Sequence, residues 1–497
     1  MIEMTLREIA DVVGGELHDV PDPRALVTGS VEFDSRRIGS GDLFLALPGA
    51  NSDGHDYAAT AIAAGAVAVL AARPVGVPAI VVAPDLGSVP ATSVALSSDE
   101  DGSGAAVLAA LAELARVSTE RLAERTGLTV VGVTGSSGKT STKDLLAAVL
   151  APLGAVVAPP GSFNNELGHP WTALRAGPDT KFLALELSAR GRGHIAELAR
   201  IAPPRIGVVL NVGTAHLGEF GSREAIAQAK GELVEALPAE GLAVLNADDP
   251  NVSAMASRTT ARVVKVGLSG DADIRATDVI TDDQARAHFT LHAGGESMPV
   301  RLAVHGEHQV GNALAAAAVA LECGADLATV AQALSGATAA SVRRMDVTTT
   351  PAGVTVINDS YNANPDSVRA ALKALVTLAK SAGEPRRSWA VLGEMGELGD
   401  TSVIEHDAIG RLAVRLDVDR LIVVGTGRPS HGMHQGAVME GSWGEESILV
   451  PDIDAAIALL DDEIAAGDVV LVKASKAVGL WAVAEHLTGA AEGKTAR

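Results

Sequence analysis

The chain has 497 residues, and its 39 Lys and Arg against 61 Asp and Glu give a net charge of −22. That balance argues against a nucleic-acid binder, which needs a basic face for the phosphate backbone, though one local loop can still cradle a nucleotide in an acidic protein. The single cysteine, Cys323, excludes an intramolecular disulfide and a Cys-rich zinc site, and aromatic residues at 2% leave the cores to Ala, Val, Leu and Ile.

The length predicts about three domains. The first residues, Met1-Ile-Glu-Met-Thr-Leu-Arg-Glu, are acidic and periodic, unlike a targeting segment. Residues 58–72 are the most apolar stretch, too short for a membrane span, and read as a buried helix and strand. A soluble, cytoplasmic protein is expected, with no membrane span. Residues 97–104 are small, polar and acidic, and read as a linker or loop. Runs at 128–133, 181–187, 205–211 and 241–246 read as buried strands separated by amphipathic helices such as 222–237. A helical run over 312–334 closes this block, and a change near 337–343 opens a third. There, strands are predicted at 388–392, 420–424 and 468–473. The fold class is therefore α/β, with mostly parallel sheets covered by helices.

In such sheets ligands sit beyond the carboxyl ends of the strands. The sharpest signal stands there. Thr134, Gly135, Ser136, Ser137, Gly138, Lys139, Thr140 and Ser141 follow the 128–133 strand and precede a helix over 143–150. Glycines let successive N–H groups turn inward around phosphate oxygens, and the helix start adds a positive dipole end. Lys139 supplies a point charge at the phosphates and Thr140 a hydroxyl for Mg²⁺. Glu186 ends an otherwise apolar strand, where a charge is costly unless paired or metal-bound. His216 follows another strand.

The loop resembles the ATP loop of the Mur ligases, the ATP-dependent amide-forming enzymes of peptidoglycan precursor synthesis. Further motifs resemble the same family in order. They are Phe33-Asp-Ser-Arg36, Gly41-Asp-Leu-Phe-Leu-Ala-Leu-Pro-Gly49, Asn164-Asn-Glu-Leu-Gly168, Asn211-Val-Gly-Thr-Ala-His-Leu217, His308-Gln-Val-Gly-Asn312, Arg344-Met-Asp346 and Asn358-Asp-Ser-Tyr-Asn-Ala-Asn-Pro365. The resemblance implies a small UDP-sugar-binding α/β domain over 1–104, a central P-loop-type ATPase domain over 105–338 and a Rossmann-like domain over 339–497. Tyr361-Asn-Ala-Asn-Pro365, Gly393-Glu-Met-Gly-Glu-Leu-Gly399 and the Ser-Ser of the loop point to the member adding D-alanyl-D-alanine to UDP-MurNAc-tripeptide. The alternatives are a third-residue-adding ligase and an inactive nucleotide-binding module.

By the same resemblance, Glu186, His216 and Thr140 hold Mg²⁺, and Lys139 contacts the phosphates. Lys230 is a candidate for carbamylation by CO₂, giving an anion that helps organise Mg²⁺. Asn312 meets the base, or caps its helix, and Arg344 and Asp359 meet phosphate and ribose. Arg343 stands where glycine is usual, so either arginine fits the role. Ser35, Arg36, Ala50, Asn51 and Ser52, with Asn164 and Asn165, map to the UDP substrate. Asn362, Asn364, Glu394 and Glu397 are the dipeptide candidates. Lys473, Ser475 and Lys476 depart from the family's Lys-Gly-Ser-Arg. Domain closure around ATP is expected, in a protein expected to be a monomer.

Overall fold

The computed structural model describes residues 1–49, 52–84, 96, 99–159, 161–214, 217–380, 386–441 and 446–489. Three large sheets organise them. The first has five strands in the order Glu16–His18, Ala79–Val81, Ala68–Ala71, Leu43–Leu45, Val31–Glu32, all parallel except the first. The apolar stretch at 58–72 is the helix Ala58–Ala64 and the strand Ala68–Ala71, as expected from its sequence.

The central sheet has nine strands. The strand Thr129–Thr134 lies between Thr180–Glu186 and Ile206–Val209, parallel to both. From it the chain runs first to one side (Ala155–Val157, then Thr180–Glu186) and then to the other (Ile206–Val209, Leu242–Asn246, Arg262–Gly267). This reversal puts a crevice at the carboxyl end of Thr129–Thr134. The antiparallel hairpin of Ile274–Thr281, Arg286–Ala293 and Glu296–His305 extends the sheet, an extension absent from the sequence reading.

Alternate residues of these strands feed two cores, as a period of two requires. Val130, Leu183 and Leu185 face the helices Ser103–Thr126, His194–Ile201 and Arg223–Glu235. Val131, Val133, Phe182 and Ala184 face Lys139–Leu150, Gln309–Glu322 and Leu327–Gly336. The run expected over 312–334 is thus two helices, broken at Cys323–Asp326, where Gly324 has φ +95°. Of the acidic stretch at 97–104, residues 97 and 98 lie outside the described residues; Asp99 accepts from the Gly104 and Ala105 amides at 2.9 and 2.8 Å, in the first turn of the helix Ser103–Thr126. That helix joins the first core to Leu43, Leu45 and Leu70 of the N-terminal sheet, and the Trp171 indole donates to the Val31 carbonyl at 2.8 Å. The N-terminal and central parts therefore share one core.

The C-terminal sheet has six strands in the order Asp346–Thr349, Thr355–Asn358, Val469–Lys473, Ser388–Leu392, Arg420–Val424, Ser447–Val450. Its two cores contain one residue from the central part, Ala285. Hydrogen bonds such as Asn364 to the Ser136 carbonyl and the Gly218 amide to the Glu397 carbonyl join it to the central part. On one face the helices Ser402–Arg415 and Arg428–Glu440 touch through glycines. A Cβ on Gly436 would lie 2.3 Å from the Asp407 carbonyl oxygen. Gly436→Ala is expected to destabilise this domain by about 1–3 kcal/mol through overpacking, read as a lower denaturant midpoint. An unchanged midpoint would contradict the close contact. Among the described residues no helix is long and apolar enough to cross a membrane.

Candidate active site

The crevice at the switch point opens into a cleft of about 970 Å³ between the central and C-terminal parts. Its floor is the phosphate loop. Gly138 has φ +84°, and a Cβ there would meet the Asn312 amide oxygen at 2.6 Å, so the position takes no side chain. The helix starts at Lys139, earlier than its apolar pattern suggests, which brings its first amides to the loop. Asn211 fastens the loop from the next strand: its side-chain oxygen accepts from the Ser136 and Ser137 amides at 2.9 and 3.0 Å, and its amide donates to the Ser137 carbonyl at 3.2 Å. Ser136 Oγ accepts from the Gly213 amide at 2.8 Å. The Lys139 ammonium, with no triphosphate present, donates to the Gly135 carbonyl at 2.7 Å. Burial pulls its pKa down to about 8, against the opposing field of Glu186.

Glu186 is 3% exposed, and burial raises its pKa while Lys139 and Arg344 oppose the rise. Its Oε2 accepts from Thr140 Oγ1 at 3.3 Å and from the Asn164 amide at 3.4 Å, and Thr140 Oγ1 lies 2.8 Å from Ser162 Oγ. Its Oε1 is buried with no partner among the described residues. Hydroxyl and carboxylate oxygens around an orphaned carboxylate atom suit Mg²⁺, which takes one or two carboxylates and completes its shell with substrate phosphates and water. Ala215 and His216, as well as Ala50 and Asn51, lie outside the described residues. Asn164, a candidate for the UDP substrate, sits on Glu186 and lines the cleft. Asn165 also lines the cleft and accepts from the Gly168 amide at 2.9 Å.

The C-terminal part supplies the opposite wall. Arg344 resolves the choice between two arginines. Its guanidinium stacks on Tyr361 at 4.1 Å and donates to Ser162 Oγ at 3.0 Å, inside the cleft. Arg343 turns away to Glu485 at 2.6 Å and to the Trp481 ring at 4.8 Å, in the left-handed backbone (φ +60°) that favours glycine. Asp359 is held on both oxygens, by Lys473 Nζ at 2.5 Å and the Met345 amide at 3.1 Å. Lys473, itself 2% exposed, also donates to the Asn362 carbonyl at 3.0 Å, so it braces this wall while lining the cleft itself. Burial lowers its pKa and Asp359 opposes. Lys476 reaches Tyr361 at 5.9 Å from the cleft side.

Asn312 is not a helix cap: its helix begins at Gln309, and its side-chain amide donates to Gln309 Oε1 at 2.8 Å with its oxygen beside Gly138. Asn364 accepts from the Ser367 amide at 2.9 Å, starting the helix Pro365–Lys380, and reaches the Ser136 carbonyl at 3.3 Å. Glu394 does not line the cleft, whereas Glu397, Asn362 and Asn364 do. Lys230 is 5% exposed on the helix Arg223–Glu235, and burial drives its pKa well below the ordinary lysine value, with Lys139 adding to the effect. It too lies off the cleft lining. Ser35 and Arg36 form a short turn in the N-terminal part, away from the cleft. Arg36 is paired there with Asp34 at 2.8 Å, and this holds the Asp34 pKa near 2. Ser52 accepts at its carbonyl from the Gly49 amide at 3.0 Å. Asn211, Ser162 and Tyr361 were missed as site residues. Asn211 carries the same signal as Glu186, a polar side chain at the end of an apolar strand.

A phosphate loop at the switch point, an orphaned carboxylate beside it and a second domain across the cleft define an ATP-dependent ligase of the two-body type. Three family profiles match: Mur ligase family, catalytic domain over residues 29–116, Mur ligase middle domain over 133–320, and Mur ligase, glutamate ligase domain over 343–476. UDP-N-acetylmuramoyl-tripeptide–D-alanyl-D-alanine ligases from Mycobacterium tuberculosis and Escherichia coli are 62% and 31% identical. The first match covers 98% of both chains, the second 98% of this chain and 99% of its relative. A MurF crystal structure from Acinetobacter baumannii is 28% identical, with a TM-score of 0.81, over 98% of this chain and 99% of that one. MurF from Thermotoga maritima in complex with ADP is 29% identical, with a TM-score of 0.73, over 94% and 99%. The chain belongs to the Mur ligase family and is an amide-forming ligase.

Proposed function

We propose that the protein joins D-alanyl-D-alanine to the terminal carboxylate of a UDP-N-acetylmuramoyl-tripeptide, converting ATP to ADP and phosphate and making the pentapeptide precursor of peptidoglycan. The observation that carries the site reading is the phosphate loop and the orphaned Glu186 oxygen facing Arg344 across one cleft. The tripeptide carboxylate oxygen takes the γ-phosphoryl group and forms an acyl phosphate. The dipeptide amine then attacks the carbonyl, a proton leaves the nitrogen, and the C–O bond to phosphate breaks. A carboxylate is a poor electrophile, so the phosphoryl transfer supplies the leaving group.

The chain's task is to hold two anions together and to keep the reacting groups aligned. The loop amides and Lys139 hold the triphosphate, and Arg344 approaches it from the other domain. Thr140 and Glu186, with His216, hold Mg²⁺. Bound there, the ion would neutralise charge on the phosphates and the transferring group. Asn312 faces the loop from behind and serves the nucleoside, and Asp359 fixes the wall against which the nucleotide lies. Ser35, Arg36 and the 50–52 turn serve the UDP end, and Asn362 and Glu397 the dipeptide end. A single copy of the chain does this in the cytoplasm.

Lys230 is assigned a carbamate. Burial lowers the pKa of this amine and so favours its nucleophilic, uncharged form toward CO₂, and the product would carry a negative charge near Lys139. Lys230→Ala is expected to lower turnover by about a hundredfold or more and to regain part of it with added short-chain acids. Turnover equal to wild type would remove the role.

The test is phosphate release with ATP and Mg²⁺ in two mixtures: UDP-MurNAc-tripeptide with D-alanyl-D-alanine, and UDP-MurNAc-dipeptide with diaminopimelate or lysine. Release in the first, with a pentapeptide product by mass, supports the proposal. Release only in the second assigns the step before it.

A further inference from the structure

We propose that Asp144 and Ser341 form an anchor for the interdomain linker and are positioning residues for Arg344. The inference rests on the reading that Arg344 meets the triphosphate. The linker residues around Arg344 are conformationally unusual. Arg343 and Met345, on either side of it, both have positive φ, +60° and +52°, without being glycine. Such backbone persists only where its surroundings hold it.

What holds it lies two residues upstream, on the buried face of the phosphate-loop helix. The Ser341 amide donates to Asp144 Oδ2 at 3.0 Å, and its hydroxyl donates to Asp144 Oδ1 at 3.1 Å. Asp144 is 8% exposed and is paired with Lys143, itself 1% exposed, at 2.7 Å. Lys143 also donates to the Pro159 carbonyl, and the Gly161 amide donates to Ser341 Oγ at 3.2 Å. The next residue, Ser162, contacts both Thr140 and Arg344. One buried network thus joins the helix that starts at Lys139, the segment carrying Ser162, and the linker carrying Arg344. The linker is thus fixed, three residues before Arg344, to the element that binds phosphate, and this sets where that side chain enters the cleft.

Ser341→Ala is the clean test, because it leaves Asp144 paired with Lys143 and the linker amide still bonded. Asp144→Asn is the stronger variant, and its unbalanced Lys143 requires a thermal-melting control. Ser341→Ala is expected to lower kcat about three- to tenfold, with KM for the UDP-tripeptide unchanged. Amide exchange at residues 343–345 should quicken. In an Arg344→Ala background, Ser341→Ala should cost nothing further, since positioning residues act only through what they position. Fully additive losses, or unchanged exchange at 343–345, would overturn the anchor. Wild-type turnover in Arg344→Ala alone would instead overturn the nucleotide reading of Arg344, and the exchange measurement would still decide the anchoring.

Discussion

Lys139→Met is expected to lower phosphate release by about a hundredfold or more, and wild-type affinity for ATP is expected to weaken above about pH 8. Among the described residues the ammonium donates to the Gly135 carbonyl, and burial depresses its pKa to about 8. A triphosphate beside it favours the charged form and raises that value. Below the free-protein pKa the lysine is protonated both before and after binding, and pH has no effect through it. Above that pKa, binding must draw a proton from solution. Affinity then falls by up to about tenfold per pH unit until the bound-state pKa is reached. KM for ATP, measured between about pH 7 and pH 9, should therefore stay flat and then rise. Lys139→Arg keeps a charge that does not titrate here, so its rise should vanish even though the guanidinium fits the loop less well. A flat wild-type profile would show that Lys139 is not the titrating cation at the phosphates.

Gly218→Val is expected to cut turnover by about a hundredfold, with ATP affinity changed little. A Cβ on Gly218 would lie 2.4 Å from the Gly399 backbone nitrogen, and backbone on both sides leaves nothing flexible to yield. The same place holds the domains together. The Gly218 amide donates to the Glu397 carbonyl at 3.0 Å, the Thr214 amide donates to Asp366 at 3.2 Å, and Arg190 pairs with Glu397 at 3.5 Å. The phosphate loop belongs to the central part alone and should keep its nucleotide. Arg344, Asn362 and Glu397 arrive from the C-terminal part, and a side chain wedged at Gly218 should hold that wall away. Solution scattering should show the variant more extended than wild type when both carry an ATP analogue and UDP-tripeptide. A variant with wild-type kcat would mean that this contact is not made during turnover.

The strands were legible because each is a short apolar run between turn signals. The predicted 388–392 and 420–424 coincide with the observed strands, and the others are within one or two residues. The long helix Ser103–Thr126 was not legible. Its leucines Leu108, Leu111, Leu114 and Leu122 share one face, but buried Ala105, Ala106 and Ala110 occupy others, which blurs the apolar stripe. The polar start of that helix looked like a linker, because capping aspartates and loop aspartates are the same residues in a sequence.

The sequence by itself determined the class, the order of the motifs, and the residues that lie at strand ends with a charge or a glycine. Those are local properties. An apolar run, a turn and a helix start constrain one another over a dozen residues, and a carboxylate in such a run has few innocent reasons to be there. Only the tertiary structure decided which of two adjacent arginines enters the cleft, that Lys473 pairs with Asp359, that Asn164 lies on Glu186, and that Glu394 lies off the cleft wall. Each of those depends on the direction of a side chain set by packing between elements far apart in the chain. Arg343 and Arg344 are the plainest case. They share charge, length and neighbourhood, yet with left-handed backbone at Arg343 and Met345 one side chain lies over Trp481 and the other over Tyr361.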